Sequence, residues 1–395
     1  MASEWKKHRI KDVVSFVVDN RGKTPPTQDE GHILLEVNAV SATEKFPLYR
    51  EVRKHVSQEV YDTRFRKGHP KKGDILVPTV GTLGAVSLMD RDDCCIAQNL
   101  IAIRCDEAIC HSHFLYYVLC NPMTRKRLLN LDIGGVQPSI KVPHLMELEI
   151  ELPSIGEQKK IAELLSLLDD KIFCNKRIND NLQQQALAIF QQELLREGAL
   201  PNGWTSGSLL DIANYLNGLA MQKFRPADGE SGLPVLKIKE LRQGSCDASS
   251  ELCSPSIKPE YIVHDGDVIF SWSGSLLVDL WCGGTCGLNQ HLFKVTSDKY
   301  PKWFYYSWTA HHLSRFVAIA ADKATTMGHI KREELAKAEV VIPDATSMGR
   351  ISGMLQPIYD LIISNRIENR KLAGLRDFML PRLMNGEIDV ADIDA

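Results

Sequence analysis

The sequence predicts an α+β protein built twice over. Two similar mixed α/β domains are each followed by a long helix, and the two helices pair about a pseudo-twofold. Three observations predict this. A set of short phrases recurs after about 190 residues, the mark of an internal repeat. A heptad seam follows each set of phrases: Ile161, Leu168, Asn175, Leu182 and Ile189 in the first half, Ile351, Ile358, Asn365, Leu372 and Met379 in the second. Each seam carries one Asn at its middle position. An Asn facing an apolar residue is left unpaired, so it lowers stability but sets register, and two helices matched in length and in the place of their Asn are suited to pair with each other.

The elements follow in order. Trp5 opens one half (EWKKHRIKDVVSF) and Trp204 the other (GWTSGSLLDIANY). Gly73-Asp74-Ile75-Leu76-Val77 matches Gly266-Asp267-Val268-Ile269-Phe270, and the runs 74–86 and 267–280 read as short strands and turns. Segments 96–104 and 291–296 read as further strands, with Ala97-Gln98-Asn99-Leu100 matching Asn289-Gln290-His291-Leu292. Segments 114–131 and 303–320 have helical spacing, and the aromatic group Trp303, Phe304, Tyr305, Tyr306 and Trp308 reads as core. The alternation of 145–152 (LMELEIEL) and its twin 336–342 predict half-buried strands leading out of each domain. Ser154 to Glu157 forms an N-cap box for the first helix. Leu164, Leu165, Ile172 and Ile178 fill out its apolar stripe over a rod of about 42 Å from Ile161 to Ile189. In the second helix the stripe is filled by Met354, Leu355, Leu361, Ile362 and Leu375. The second helix lacks the Glu157-Gln158 of the first and carries Pro357, which predicts a later start or a bend, and Pro381 predicts its end.

Composition bounds the function. At 395 residues, 44% hydrophobic and 25% charged, the chain is ordinary for a soluble globular protein and too long for one core. The net charge of −3 means that any nucleic-acid binding rests on local patches. No apolar run reaches the length of a membrane span and no signal-peptide core opens the chain. Ten Cys, including Cys94-Cys95, Cys174, Cys282 and Cys286, fit neither a disulfide framework nor a Cys-x-x-Cys zinc site, so reduced thiols in a cytoplasmic protein are expected.

On the twofold repeat, the phrase ELPSIGEQKKIAELLSLLDDKI and the matched Gly-Asp-Ile-Leu and Gly-Asp-Val-Ile strands, the chain resembles the specificity (S) subunits of type I restriction–modification enzymes, the HsdS family, over nearly its whole length. The resemblance implies target-recognition domains at 1–153 and 197–343 and helical spacers at 154–196 and 344–385, with an acidic tail at 386–395. By the same resemblance the spacers would pair antiparallel as a coiled coil. Each domain would read one half of an asymmetric bipartite site on double-stranded DNA. The spacers would set the distance between halves and dock two modification subunits, with restriction subunits joining in the full complex. Half-sites one turn apart are about 34 Å apart, within the span of such a rod. The resemblance also implies that this chain binds no cofactor of its own: S-adenosylmethionine, ATP and Mg belong to partner subunits.

Candidate DNA contacts fall in four places. Residues 50–72 supply local positive charge through Arg50, Arg53, Lys54, Arg64, Arg66, Lys67, Lys71 and Lys72, against Glu51, Glu59 and Asp62; such a run suits phosphate binding, though it equally suits a solvated loop. Early loops follow, where the family has a DNA-facing loop: Arg21, Lys23 and Thr24 in one half, Gln222 and Lys223 in the other. The third set comprises the turns with Thr79 and Thr82 and with Ser273 and Ser275. The fourth comprises Gln137, Ser139 and Lys141, and Thr326, His329 and Lys331. Short polar side chains of this kind can read base edges, and the same residues make ordinary turns. Gln98, Asn99, Asn289 and Gln290 suit either adenine edges or strand capping.

Catalytic signals are absent from the sequence. No Asn/Asp-Pro-Pro-aromatic tetrapeptide of an amino-methyltransferase, no phosphate-binding Gly-x-x-x-x-Gly-Lys-Ser/Thr loop and no cluster with metal spacing occurs. His311-His312 reads as a structural pair. A non-catalytic subunit is therefore expected. A coiled-coil protein-interaction scaffold without DNA specificity is the alternative, and a self-contained modification enzyme is opposed by the missing motif.

Overall fold

The structure, a computed structural model, describes residues 5–22, 24–132, 138–195, 198–322 and 330–390. Packing divides the chain into two compact units, Met1–Lys171 with Leu372–Ala395, and Ile172–Lys371. Both long helices contribute to each unit.

In the first unit a four-stranded antiparallel sheet runs in the order Val14–Val18, Leu100–Cys105, Ile75–Pro78, Ser87–Leu88. A three-stranded sheet orders His55–Val56, His32–Leu35 and Cys94–Ile96, the last pair parallel. Lys6–Arg9 pairs with Glu149–Leu152 and ties the start of the domain to its exit. The second unit repeats the plan. Its four-stranded sheet runs Asn214–Asn217, Leu292–Thr296, Val268–Ser271, Leu277–Leu280, and Thr205–Ser208 pairs with Glu339–Ile342.

The repeated Gly-Asp has a local cause. Gly73 (φ 89°) and Gly266 (φ 85°) take the left-handed turn before a central strand. The Asp that follows closes the turn, accepting from Lys71 N (2.8 Å) in one unit and from His264 N (2.8 Å) in the other. Each carboxylate then takes a cation from the neighbouring strand, Arg104 on Asp74 and Lys294 on Asp267.

Behind each four-stranded sheet lie two helices rather than the single one the spacing suggests. Ser112–Cys120 and Pro122–Leu129 break at Asn121, whose side chain caps the second helix ahead of Pro122. Lys302–His311 and Leu313–Asp322 break at His312. Trp303, Phe304, Tyr305 and Trp308 are core, as expected. The exit strands are shorter than the alternation predicts. Val142–Met146 and Arg332–Ala336 are helical turns, and only Glu149–Leu152 and Glu339–Ile342 are strands, because pairing with the first strand of each domain begins there.

The long helices are Ile155–Leu194 and Ala345–Met384, each 40 residues, or about 60 Å. Ser154 caps the first, its hydroxyl accepting from Glu157 N (3.3 Å). The second starts no later in its own half: Asp344 supplies the cap, accepting from Ser347 N at 2.8 Å, so the missing Glu-Gln is replaced by another acceptor. It continues as one helix through Pro357, and it runs past Pro381 to Met384. Its end comes at Gly386 (φ 69°), where Gly386 N reaches Leu383 O and Glu387 N reaches Arg382 O.

The helices run antiparallel within each unit. In the second, Asn175 faces Asn369, Asn179 faces Asn365 and Glu193 meets Arg350. In the first, Asp169 meets Arg376, and Ile161, Ala162 and Leu165 share a core with Leu380, Leu383 and Met384. The buried rows are spaced alternately four and three residues, which takes in Asn179 and Ala186 and leaves out Ile178. Ile178, Leu361 and Leu375, read as part of the stripe, are 38%, 45% and 47% exposed because they fall one position off it. Asn175 and Asn365 do not face each other: Asn175 donates to Asn369 (2.9 Å) and Glu368 (2.6 Å), and Asn365 donates to Asn179 (2.9 Å).

Candidate nucleic-acid interface

Strand direction decides where the candidate loops go. In the first unit Val14–Val18 and Ile75–Pro78 both run antiparallel to Leu100–Cys105, with Val18 opposite Ala102 and Pro78 opposite Leu100. The loop holding Arg21 and Thr24 and the turn holding Thr79 and Thr82 therefore leave from one edge of the sheet. Gln98 and Asn99 sit at that edge, just ahead of the central strand. The third candidate segment comes to the same place: Gly81 N donates to Pro138 O (3.0 Å) and Ile140 N to Thr79 O (2.9 Å).

The basic stretch joins through Asn20. Its side-chain amide donates to Gly68 O (2.8 Å) and its Oδ1 accepts from Lys67 N (3.0 Å). Arg64, Arg66 and Lys67, all exposed, are thereby held beside the early loop. Arg21 is exposed too, but its guanidinium forms a two-pronged pair with Asp19 at 2.8 and 2.7 Å. Burial pushes the Asp19 carboxyl up, yet the Arg21 bonds and the nearby Lys67 outweigh it and hold it below the ordinary range. Further back in the stretch, Lys54 is committed to Glu36 and Arg50 lies near Glu51.

The second unit repeats the arrangement with other side chains. Asn217 lies opposite Phe293 and Ser271 opposite Leu292, so the loop with Gln222 and Lys223 and the turn with Ser273 and Ser275 share one edge. Ile330 N donates to Trp272 O (2.9 Å), the counterpart of the Ile140–Thr79 bond, and brings Lys331 alongside. Three side-chain bonds knit the edge together: Trp272 Nε1 to Asn217 Oδ1 (2.9 Å), Ser273 Oγ with His291 Nδ1 (3.0 Å), and Gln290 Nε2 with His291 Nε2 (3.3 Å).

The sites the sequence nominates thus differ in what they can offer. Thr24, Thr82, Lys141, Gln222, Lys223, Ser275 and Lys331 are exposed, and Ser139 is half-buried with its N–H on Asp132. Two nominated readers are not free to read. Thr79 is 2% exposed and its hydroxyl donates to Asn99 O (3.2 Å); Ser273 is 6% exposed and pairs with His291. Both sit just past a strand end, where their hydroxyls bond residues that lead into the neighbouring strand, Asn99 and His291. Asn289 likewise turns inward, accepting from His291 N. Lys23, Gln137, Thr326 and His329 lie outside the described residues. Sequence reasoning missed Asn20 and His291, and took Asn217 only as the start of the early loop in the second half; an Asn at or just past the end of Val14–Val18 and of Asn214–Asn217 was the available signal. His311 and His312 pack on Phe190 and Trp308, a structural role. Among the described residues no group of His, Cys, Asp or Glu could hold a metal ion, and no helix is long and apolar enough to cross a membrane.

Three comparisons bear on this geometry. A family model described as "Type I restriction modification DNA specificity domain" matches residues 2–184. The chain is 26% identical over 309 residues to the type I restriction enzyme MjaIX specificity subunit of Methanocaldococcus jannaschii, covering 71% of this chain and 70% of that one. It is 21% identical over 400 residues to the HindI specificity subunit of Haemophilus influenzae, covering 80% and 87%. Among solved structures, the type I restriction–modification S subunit from M. genitalium aligns over 96% of both chains with a TM-score of 0.57 and 16% identity.

Proposed function

The chain belongs to the type I restriction–modification specificity-subunit family, and from that premise we propose how it selects DNA. It is a non-catalytic, DNA sequence-specificity subunit. Residues 1–153 and 197–343 are the two recognition domains, and each reads one half of a bipartite site on double-stranded DNA. The observation that carries this reading is the repeated edge: in each unit the same three segments gather beside the start of the same central strand. The two edges carry different side chains, so the two half-sites differ.

Division of labour follows from residue type. Arg64, Arg66, Lys67, Lys223 and Lys331 lie at or beside these edges as exposed cations and suit phosphate oxygens, which position the protein without reading sequence. Thr24, Thr82, Ser139, Gln222 and Ser275 are short or amide-bearing and suit base edges. The paired helices, 154–196 and 344–385, keep the two readers at a set separation and carry two modification subunits, with restriction subunits added in the full complex. S-adenosylmethionine, ATP and Mg act on those partners, and the assembly works in the cytoplasm.

Binding of the chain in complex with modification subunits to duplex DNA, measured by filter retention from low to high salt, tests this. A steep fall of affinity with salt and a preference for one bipartite sequence are expected. A shallow salt dependence with no sequence preference would leave only a protein scaffold.

A further inference from the structure

We propose that Arg366 and Arg370 are positioning residues: they clamp the feet of the hairpin whose tip is a candidate reading turn, and so fix the direction in which that tip is presented. This rests on the DNA-reading role proposed above. The hairpin is Val268–Ser271 with Leu277–Leu280, paired from Val268–Leu280 at the feet to Ser271–Leu277 at the tip. Its tip carries Trp272, Ser273 and Ser275. The two arginines stand four residues apart on the second long helix, hence on one face. Arg366 Nη1 donates to Asp279 Oδ1 (2.7 Å) and Leu280 O (3.0 Å). Arg370 grips Asp265 with both prongs (2.6 and 2.7 Å) and also reaches Cys282 O. Asp265 in turn accepts from Gly284 N (2.9 Å), and Gly266 N donates to Trp281 O (2.6 Å), so both feet form one closed assembly. A tip four residues out stands about 13 Å from its clamp, and a small tilt at the foot becomes a larger displacement at the tip.

The first unit anchors the equivalent hairpin with reversed charge. Leu88 N, at the foot of Ile75–Pro78 with Ser87–Leu88, donates to Lys45 O (2.7 Å). The Lys45 ammonium, on a side chain 4% exposed, donates to Asp170 Oδ1 (2.7 Å) on the first long helix. There the domain supplies the cation and the helix the anion; in the second unit the signs are exchanged. Each domain is keyed to the helix that follows it.

The test uses the full chain in complex with its modification subunits, as wild type, as Arg366→Gln/Arg370→Gln and as Arg366→Lys/Arg370→Lys. Hydrogen exchange reads the clamp directly. In the Gln variant the amides of 272–277 should exchange about tenfold faster, the change expected from losing a charge-assisted hydrogen bond, while those of 302–311 stay unchanged. The Lys variant should recover part of the protection. Methylation mapping then reads the consequence: about tenfold weaker discrimination against mismatches in one half of the motif, with the other half unaffected. Unchanged exchange at 272–277, acceleration of the whole unit together, or equal loss of discrimination in both halves would each overturn the clamp. A wild-type complex that methylates no bipartite motif would overturn the DNA-reading role instead, while the exchange data still decide whether the clamp exists.

Discussion

Replacing Arg376 by Ala should destabilise the first unit far more than a surface ion pair would. The Asp169 side chain is 6% exposed and has two partners: Arg376 Nη1 on Oδ1 (2.6 Å) and Tyr117 OH on Oδ2 (2.7 Å). The three residues come from the domain helix Ser112–Cys120 and from both long helices, so one carboxylate ties the domain to the coiled coil. Without Arg376 the carboxylate stays buried with a single neutral donor. Breaking a buried pair from one side costs about 3–5 kcal/mol, because the remaining charge has lost its compensation. In a unit of about 200 residues each kcal/mol moves the midpoint by roughly 2–4 °C, so a fall of about 10 °C is expected. Replacing both partners by apolar residues of similar volume, Asp169→Leu with Arg376→Met, should return stability to within about 1 kcal/mol of wild type. Differential scanning calorimetry of Asp169→Leu, Arg376→Met and the double variant gives the coupling, with Arg376→Ala measured beside them. The reasoning is refuted if Arg376→Ala costs less than about 1 kcal/mol, or if the double variant loses the sum of the singles.

Three other outcomes follow from the same geometry. Asn365→Leu should cost about 1–3 kcal/mol by leaving Asn179 Oδ1 unmet, whereas Asn179→Leu with Asn365→Leu should be at least as stable as wild type in urea titration, at the expense of register. Burial, aided by Lys45 and His111 and opposed by Asp170 and Glu107, lowers the pKa of His113 to about 4. Between pH 6.5 and about 4 the unfolded chain therefore binds a proton that the folded one refuses. Stability of the first unit should fall as pH drops through that window, and His113→Asn should remove this contribution to the slope. Arg66→Ala with Lys67→Ala should make the log–log salt dependence of DNA binding shallower by about 2.

How much of this was legible in the sequence can be argued from particular residues. The doubled plan was readable because Gly-Asp and Leu/Ile-Pro recur at fixed places, and each has a local reason: a left-handed turn closed by a carboxylate, a strand ending at a helix cap. The long helices were readable from the seam at Ile161 and Ile351. Their pairing detail was not, because the heptad row of Leu165, Ile172, Asn179 and Ala186 contains a polar Asn and an Ala too small to mark a seam. The same blindness put Ile178 on the stripe. Proline misled twice, since Pro357 and Pro381 lie inside a helix that the chain caps with Asp344 and ends at Gly386. Among the candidate readers, residue type alone could not separate exposed Thr82 from buried Thr79, or exposed Ser275 from Ser273. That distinction depends on where a strand stops and which carbonyl or ring waits beside the hydroxyl. Convergence of the three loops was also hidden, because it follows from strand order and not from sequence distance.

The most direct test of the account is a map of methylated bases in cells carrying the chain with its modification subunits. One strain would hold the wild type; the other would hold a variant in which residues 272–275 are replaced by the sequence of 79–82. The account predicts a bipartite motif for the wild type, and for the variant a motif changed in one half with the other half and the spacing kept. A motif that is identical in both strains, or changed in both halves, would contradict it.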